Sequence, residues 1–198
     1  MKLGVSTGLV VFIACAGLSA ATQPSSSRGP ARGSLLLAGG VGPNPAIDAA
    51  FVALAGGPQS HIVLIPTASL PDTMSAEMLP EVTAFLERRM KERFGVSAVT
   101  VLHTYDRARS DSDSFAEPLR RATGVWMLGG FPERLVSSYV GTKTELAMRE
   151  LLDRGGVIGG ESAGAMIQGS WLDGMGASSR RRFARPCRLM PEAADSDC

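Results

Sequence analysis

Gly155-Gly-Val-Ile-Gly-Gly-Glu-Ser-Ala-Gly-Ala165 is the stretch that decides the architecture. Gly156-Val-Ile158 reads as a short buried strand, and Ala163 to Ser170 reads as a helix. Between them stands Gly160-x-Ser162-x-Gly164, the form of a nucleophile elbow. Such a turn holds the serine hydroxyl above a sheet, and its glycines relieve crowding against neighbouring backbone. Ser162 is therefore the candidate nucleophile, and the N–H of Ala163, at the helix start, is a candidate oxyanion donor. The plain alternative is that Ser162 only caps the helix.

Working outward, strand and helix patterns alternate. Ser34-Leu-Leu-Leu-Ala38, His61-Ile-Val-Leu-Ile65, Val96 to Leu102 and Gly124-Val-Trp-Met-Leu128 read as four further strands. A first helix opens with Asn44 as N-cap and Pro45 at its first position and stops at Gly56-Gly57-Pro58. A second runs from about Ser75 to Phe94 with Gly95 as its stop, and a third covers about Asp113 to Arg121. Thr142-Lys-Thr-Glu145 predicts a capping box for a fourth, which ends at Gly155-Gly156. This rhythm predicts an α/β fold: a doubly wound, mostly parallel sheet between two helical layers. A ligand site in such a sheet lies beyond the carboxyl ends of the strands. Gly39-Gly40, Pro66-Thr-Ala-Ser69, His103-Thr-Tyr-Asp-Arg107, Gly129-Gly130 and the elbow all fall at those ends.

Composition excludes several other readings. Twenty Lys and Arg against 19 Asp and Glu give no basic excess for a nucleic-acid or anionic-membrane binder. With 44% hydrophobic residues and 23 Gly of no three-residue period, the chain is neither wholly disordered nor collagen-like. Lys2, the apolar run Leu3 to Leu18 and the small residues Ser19-Ala20-Ala21 predict a signal peptide over 1–21 and export to the periplasm or outside the cell. A lipid anchor at Cys15 is the alternative, and the signal or that anchor is the sole membrane contact expected. Residues 22–33 read as a linker and 34–173 as one domain. Residues 174–198, with Arg180-Arg-Arg182, Arg185 and Arg188, read as a disordered tail. Cys187 and Cys198 have no metal-ligand spacing; they are either joined in a tail disulfide or free.

A wider set of residues carries a resemblance. Leu35 to Gly40, Ala55-Gly-Gly57, Ile62-Val-Leu-Ile-Pro-Thr-Ala-Ser69, Ala122-Thr-Gly-Val-Trp126, Gly129-Gly130 with Arg134-Leu135, and the opening stretch together resemble the cyanophycinase-like serine peptidases. These are relatives of dipeptidase E in the class I glutamine amidotransferase-like fold, and the likeness spans about Gly33 to Leu172. The resemblance implies a serine peptidase or amide hydrolase working through an acyl-enzyme on Ser162, with Ala163 and Gly130 N–H groups as the oxyanion hole. It implies peptide substrates containing aspartate, cyanophycin among them, and no metal or organic cofactor; a homo-oligomer is compatible with it.

Two departures qualify the expectation. Phe131-Pro132-Glu133 stands where the family carries a polar pair that includes Gln; Glu133, Arg134 and His103 are the expected cleft lining. The family takes its base histidine from segments after the elbow, and no residue after Ser162 is histidine. His103 is a weak substitute as base, His61 starts its strand at the opposite edge, and Glu161 is expected to project away from the serine. The chain is thus expected to be impaired, with the family's C-terminal part missing. A non-catalytic binding protein that keeps the cleft is the competing reading, and an esterase is a third.

Overall fold

The computed structural model describes residues 30–40 and 42–169. The expected signal peptide, the Cys15 anchor, most of the linker, Cys187, Cys198 and the Arg-rich tail lie outside the described residues.

Five strands form one sheet: β1 (Ser34–Ala38), β2 (His61–Ile65), β3 (Ala98–Val101), β4 (Gly124–Met127) and β5 (Val157–Glu161). Their spatial order is β1-β5-β4-β2-β3, and every neighbouring pair is parallel. Parallel neighbours need helical crossovers, supplied by α1 (Pro45–Leu54), α2 (Leu79–Phe94), α4 (Asp113–Arg121) and α6 (Lys143–Asp153), with α3 (Arg107–Ser110), α5 (Pro132–Tyr139) and α7 (Ala163–Met166) beside them. From β1 through β2 to β3 the chain moves one way across the sheet; from β3 through β4 to β5 it moves back. Crossovers keep one hand, so this reversal places α1 and α2 on one face and α4 and α6 on the other.

Period-two alternation along the strands feeds both faces. Ile62, Leu64, Trp126 and Val157 join Phe51, Met90 and Phe94 under α1 and α2. Val63, Ile65, Val125, Met127 and Ile158 join Phe115, Leu119, Leu135, Tyr139 and Leu151 on the opposite side. Trp126 is the centre of the first core, its ring 4.8 Å from Phe51 and 5.4 Å from Phe94, both edge-on. That ring explains Gly159 on the adjoining strand, because a Cβ there would lie 2.6 Å from Trp126.

Several boundaries differ from the sequence expectation. β5 runs on to Glu161 rather than ending at Ile158, since Gly159 and Gly160 remain in register with Leu36 and Leu37 of β1. α2 starts at Leu79, four residues late, where Pro80 fits the first turn. The helix after the elbow spans Ala163–Met166 instead of reaching Ser170. The capping box is displaced: Thr142 Oγ1 donates to Tyr139 O (2.7 Å), and the Glu145 carboxylate takes the N–H of Gly141 in place of that of Thr142. α3 and α5 are unanticipated, being too short for a helical period to stand out.

Candidate active site

Ser162 follows β5 at the carboxyl edge of the sheet, between β1 and β4. The chain leaves β1 towards the α1 face and leaves β5 towards the α7 face, so the strand ends part where the serine stands. Ser162 is exposed and has φ 50° and ψ −115°, the one positive φ of a non-glycine residue among the described residues. Its N–H donates to Ala38 O at 3.1 Å, and its carbonyl accepts from Ala165 and Met166 N–H, both at 2.9 Å. The turn can be made only without side chains at its flanks. A Cβ on Gly160 would meet Gly164 O at 2.4 Å, and one on Gly164 would meet Met127 O at 2.2 Å.

Two bare segments wall the serine. A Cβ on Gly40, after β1, would be 3.7 Å from Ser162 Cβ, and one on Gly129, after β4, would be 3.1 Å from it. Gly130, at φ 133°, lies so close to the loop after β2 that a Cβ would meet Ala68 O at 2.1 Å. Ser69 of that loop donates its hydroxyl to Gly129 O at 2.6 Å. A trans peptide sets its carbonyl and the following N–H on opposite sides, so this bond turns the Gly130 N–H away from Ser69. Neither Gly130 N–H nor Ala163 N–H has a hydrogen-bond acceptor among the described residues, which leaves both available to a developing oxyanion.

The other expected site residues fall elsewhere. Arg134 braces the loop after β2: Nη1 donates to Leu70 O at 2.7 Å, and the guanidinium lies over the rings of Phe131 (4.7 Å) and Tyr105 (5.9 Å). Glu133 is exposed in the first turn of α5. His103 follows β3, three strands from β5, or roughly 14 Å at the usual interstrand spacing. Its Nδ1 is 2.9 Å from Thr67 Oγ1, which is in turn 2.6 Å from the Tyr139 hydroxyl. Burial lowers the His103 pKa, and Arg109 lowers it further. Burial pushes Tyr139 up to about 12, against the pull of its bond to Thr67. His61, at the amino end of β2, pairs with Thr100 instead. The structure thus joins Ser162, Ala163 and the Gly129-Gly130 segment, and leaves His103 in a separate cluster.

Sequence reasoning missed what Glu161 does. It does turn from the serine, and its carboxylate pairs with Arg93 on α2, which also binds Asp48 on α1. No short-range pattern signals contacts between residues so far apart in the chain. Among the described residues no group of three or more His, Cys, Asp or Glu is arranged to hold a metal.

Comparison with known proteins agrees with this architecture. Residues 35–180 match Peptidase family S51. A cyanophycinase of Synechococcus elongatus is 31% identical over 131 residues, covering 65% of this chain and 38% of its own length. One from Geminocystis herdmanii is 30% identical over 125 residues, covering 63% and 43%. The chain therefore spans about two-fifths of the length of these relatives. The crystal structure of a peptidase from an acI-B1 Actinobacterium superposes with a TM-score of 0.59 at 24% identity, covering 74% of this chain and 61% of the other, a likeness of fold.

Proposed function

The chain belongs to Peptidase family S51, and from that premise we propose that it is a serine-type peptidase or amide hydrolase acting on aspartate-containing peptides. The observation that carries the reading is an exposed Ser162 held at positive φ beside two unengaged N–H groups. Ser162 Oγ adds to the amide carbonyl, giving up its proton, and the charge formed on the carbonyl oxygen is met by Ala163 and Gly130 N–H. Collapse expels the amine, which takes a proton, and leaves an acyl ester on Ser162. Water then adds to that ester and regenerates the hydroxyl. The name of the cyanophycinase relatives supports an aspartate backbone bearing arginine as one such substrate.

General-base help is worth about 10²- to 10⁴-fold, and neither described histidine is within reach of Ser162. That observation favours slow acylation by this chain and supports the second reading, a binding protein that keeps the cleft. A serine-directed fluorophosphonate tests both. Labelling at Ser162, located by peptide mass spectrometry and lost in Ser162→Ala, supports the hydrolase, and cleavage of aspartyl peptides or cyanophycin then defines the substrate. Peptide binding without labelling or turnover supports the binder. The apolar run Leu3 to Leu18 supports export, which an N-terminus near Thr22 in protein recovered from a bacterial host would bear out.

A further inference from the structure

Asp48, Arg93 and Glu161 are left without a part in acyl transfer, yet they join three elements behind the elbow. The Arg93 and Asp48 side chains are 15% and 10% exposed. Arg93 Nε donates to Asp48 Oδ2 at 3.0 Å and Nη2 to Oδ1 at 2.8 Å, a two-point contact that fixes the plane of the guanidinium. That plane also packs on Phe94 (5.2 Å) and Trp126 (5.3 Å). Its remaining nitrogen, Nη1, is 3.5 Å from Glu161 Oε2. A guanidinium held in this way keeps one orientation, which a lysine ammonium would not. Beside it opens a cavity of about 550 Å³, bordered by Arg89, Leu128, Arg93 and Glu161, so the glutamate has room to swing when it is not held.

Glu161 is the residue before Ser162. A non-glycine residue at positive φ is strained and persists only where its surroundings over-determine it. Ser162 is fixed from β1 by the Ala38 carbonyl and from α7 by two amides, while the chain entering it is fixed by the side chain of Glu161. We propose that Arg93 is a positioning residue for the elbow, a strut from Asp48 on α1 to Glu161 on β5 that holds Ser162 in its reactive conformation. The proposal rests on the reading of Ser162 as nucleophile.

Fluorophosphonate labelling at increasing concentration separates the maximal rate at Ser162 from the half-saturating concentration. Arg93→Met should lower the maximal rate about tenfold, as displacement of a reacting group by a fraction of an ångström does, and leave half-saturation within about twofold. Arg93→Lys should recover part of the loss. Adding Glu161→Gln to Arg93→Met should cost little more, because the two act in series. An unchanged maximal rate in folded Arg93→Met protein, or losses that multiply, would overturn the proposal. If the unaltered chain is not labelled at Ser162, the hydrolase reading fails, and the strut is measured by amide hydrogen exchange from Val157 to Ile167. Faster exchange in both Arg93→Met and Glu161→Gln supports it; exchange equal to that of the unaltered chain overturns it. Should Arg93→Met not fold, Glu161→Gln, which leaves the Asp48 contact whole, takes its place in each measurement.

Discussion

Gly129 and Gly130 do at the residue scale what no side chain does here: they bring bare backbone to Ser162 and aim one N–H. The Ser69 hydroxyl fixes that aim through Gly129 O. Ser69→Ala frees the peptide to turn over, which should lower the Ser162 labelling rate by about tenfold, less than loss of an oxyanion donor outright. A rate equal to that of the parent would show that Gly130 is oriented without Ser69. The two histidines make a separate prediction. Burial, joined by Arg121 at His61 and Arg109 at His103, lowers both pKa values from 6.5, so the fold favours neutral rings. The unfolded chain takes up these protons first, so their stabilisation is complete above 6.5 and is lost as pH falls through 6.5 towards the lower folded values. The thermal midpoint should therefore drop between about pH 7 and about pH 5, and His103→Gln should flatten the drop. A slope unchanged by that substitution would place the titration elsewhere. At this scale the elbow was legible because its glycines and serine lie within five positions and their spacing states the geometry. The pairing of Glu161 with Arg93 was not, because it depends on how α2, packed over β3, lies against α1 and brings its last turn towards the end of β5.

Elements were legible where their ends carry local chemistry. Asn44 Oδ1 accepts from Ala46 N (3.0 Å) and Ile47 N (3.4 Å), and Pro45 follows it, so the start of α1 is written in two adjacent residues. Asn44→Ala should cost about 1 kcal/mol in urea denaturation, whereas Asn44→Ser or Asn44→Asp should cost less. Equal losses from all three would mean that α1 is held by Phe51 and its partners with little help from the cap. The capping box at Thr142 was legible in type and misplaced in detail: the bend after α5 brings Tyr139 O within reach of the threonine hydroxyl, and that nearby acceptor takes it. α5 itself had one local sign, Pro132 at its first turn, too little to outweigh its short length.

For the whole molecule, alternation of strand and helix announced a parallel sheet, yet the order β1-β5-β4-β2-β3 could not be read from it. Order depends on which strand pairs bury most, and all five present similar apolar runs. Glycine was the hidden determinant at β5. Gly159 admits the Trp126 ring and Gly160 admits the main chain of Gly164, so β5 fits beside β4 with a helix crossing directly above it. The result is one sheet with a core on each face, and the two cores share β1, β2, β4 and β5 through alternating side chains. They should therefore unfold together. Leu151, fully buried on the α6 side, is on the opposite face from Trp126. Leu151→Ala should remove about 2–5 kcal/mol. In a Trp171→Phe background, so that Trp126 alone emits, the urea midpoint followed by fluorescence should fall as far as the midpoint followed by far-ultraviolet circular dichroism. Coincident shifts are the mark of a single cooperative unit. A Trp126 midpoint that stays put while the dichroism midpoint falls would divide the molecule along the plane of its own sheet, and the elbow, built from strands that both cores share, would then lack a common foundation.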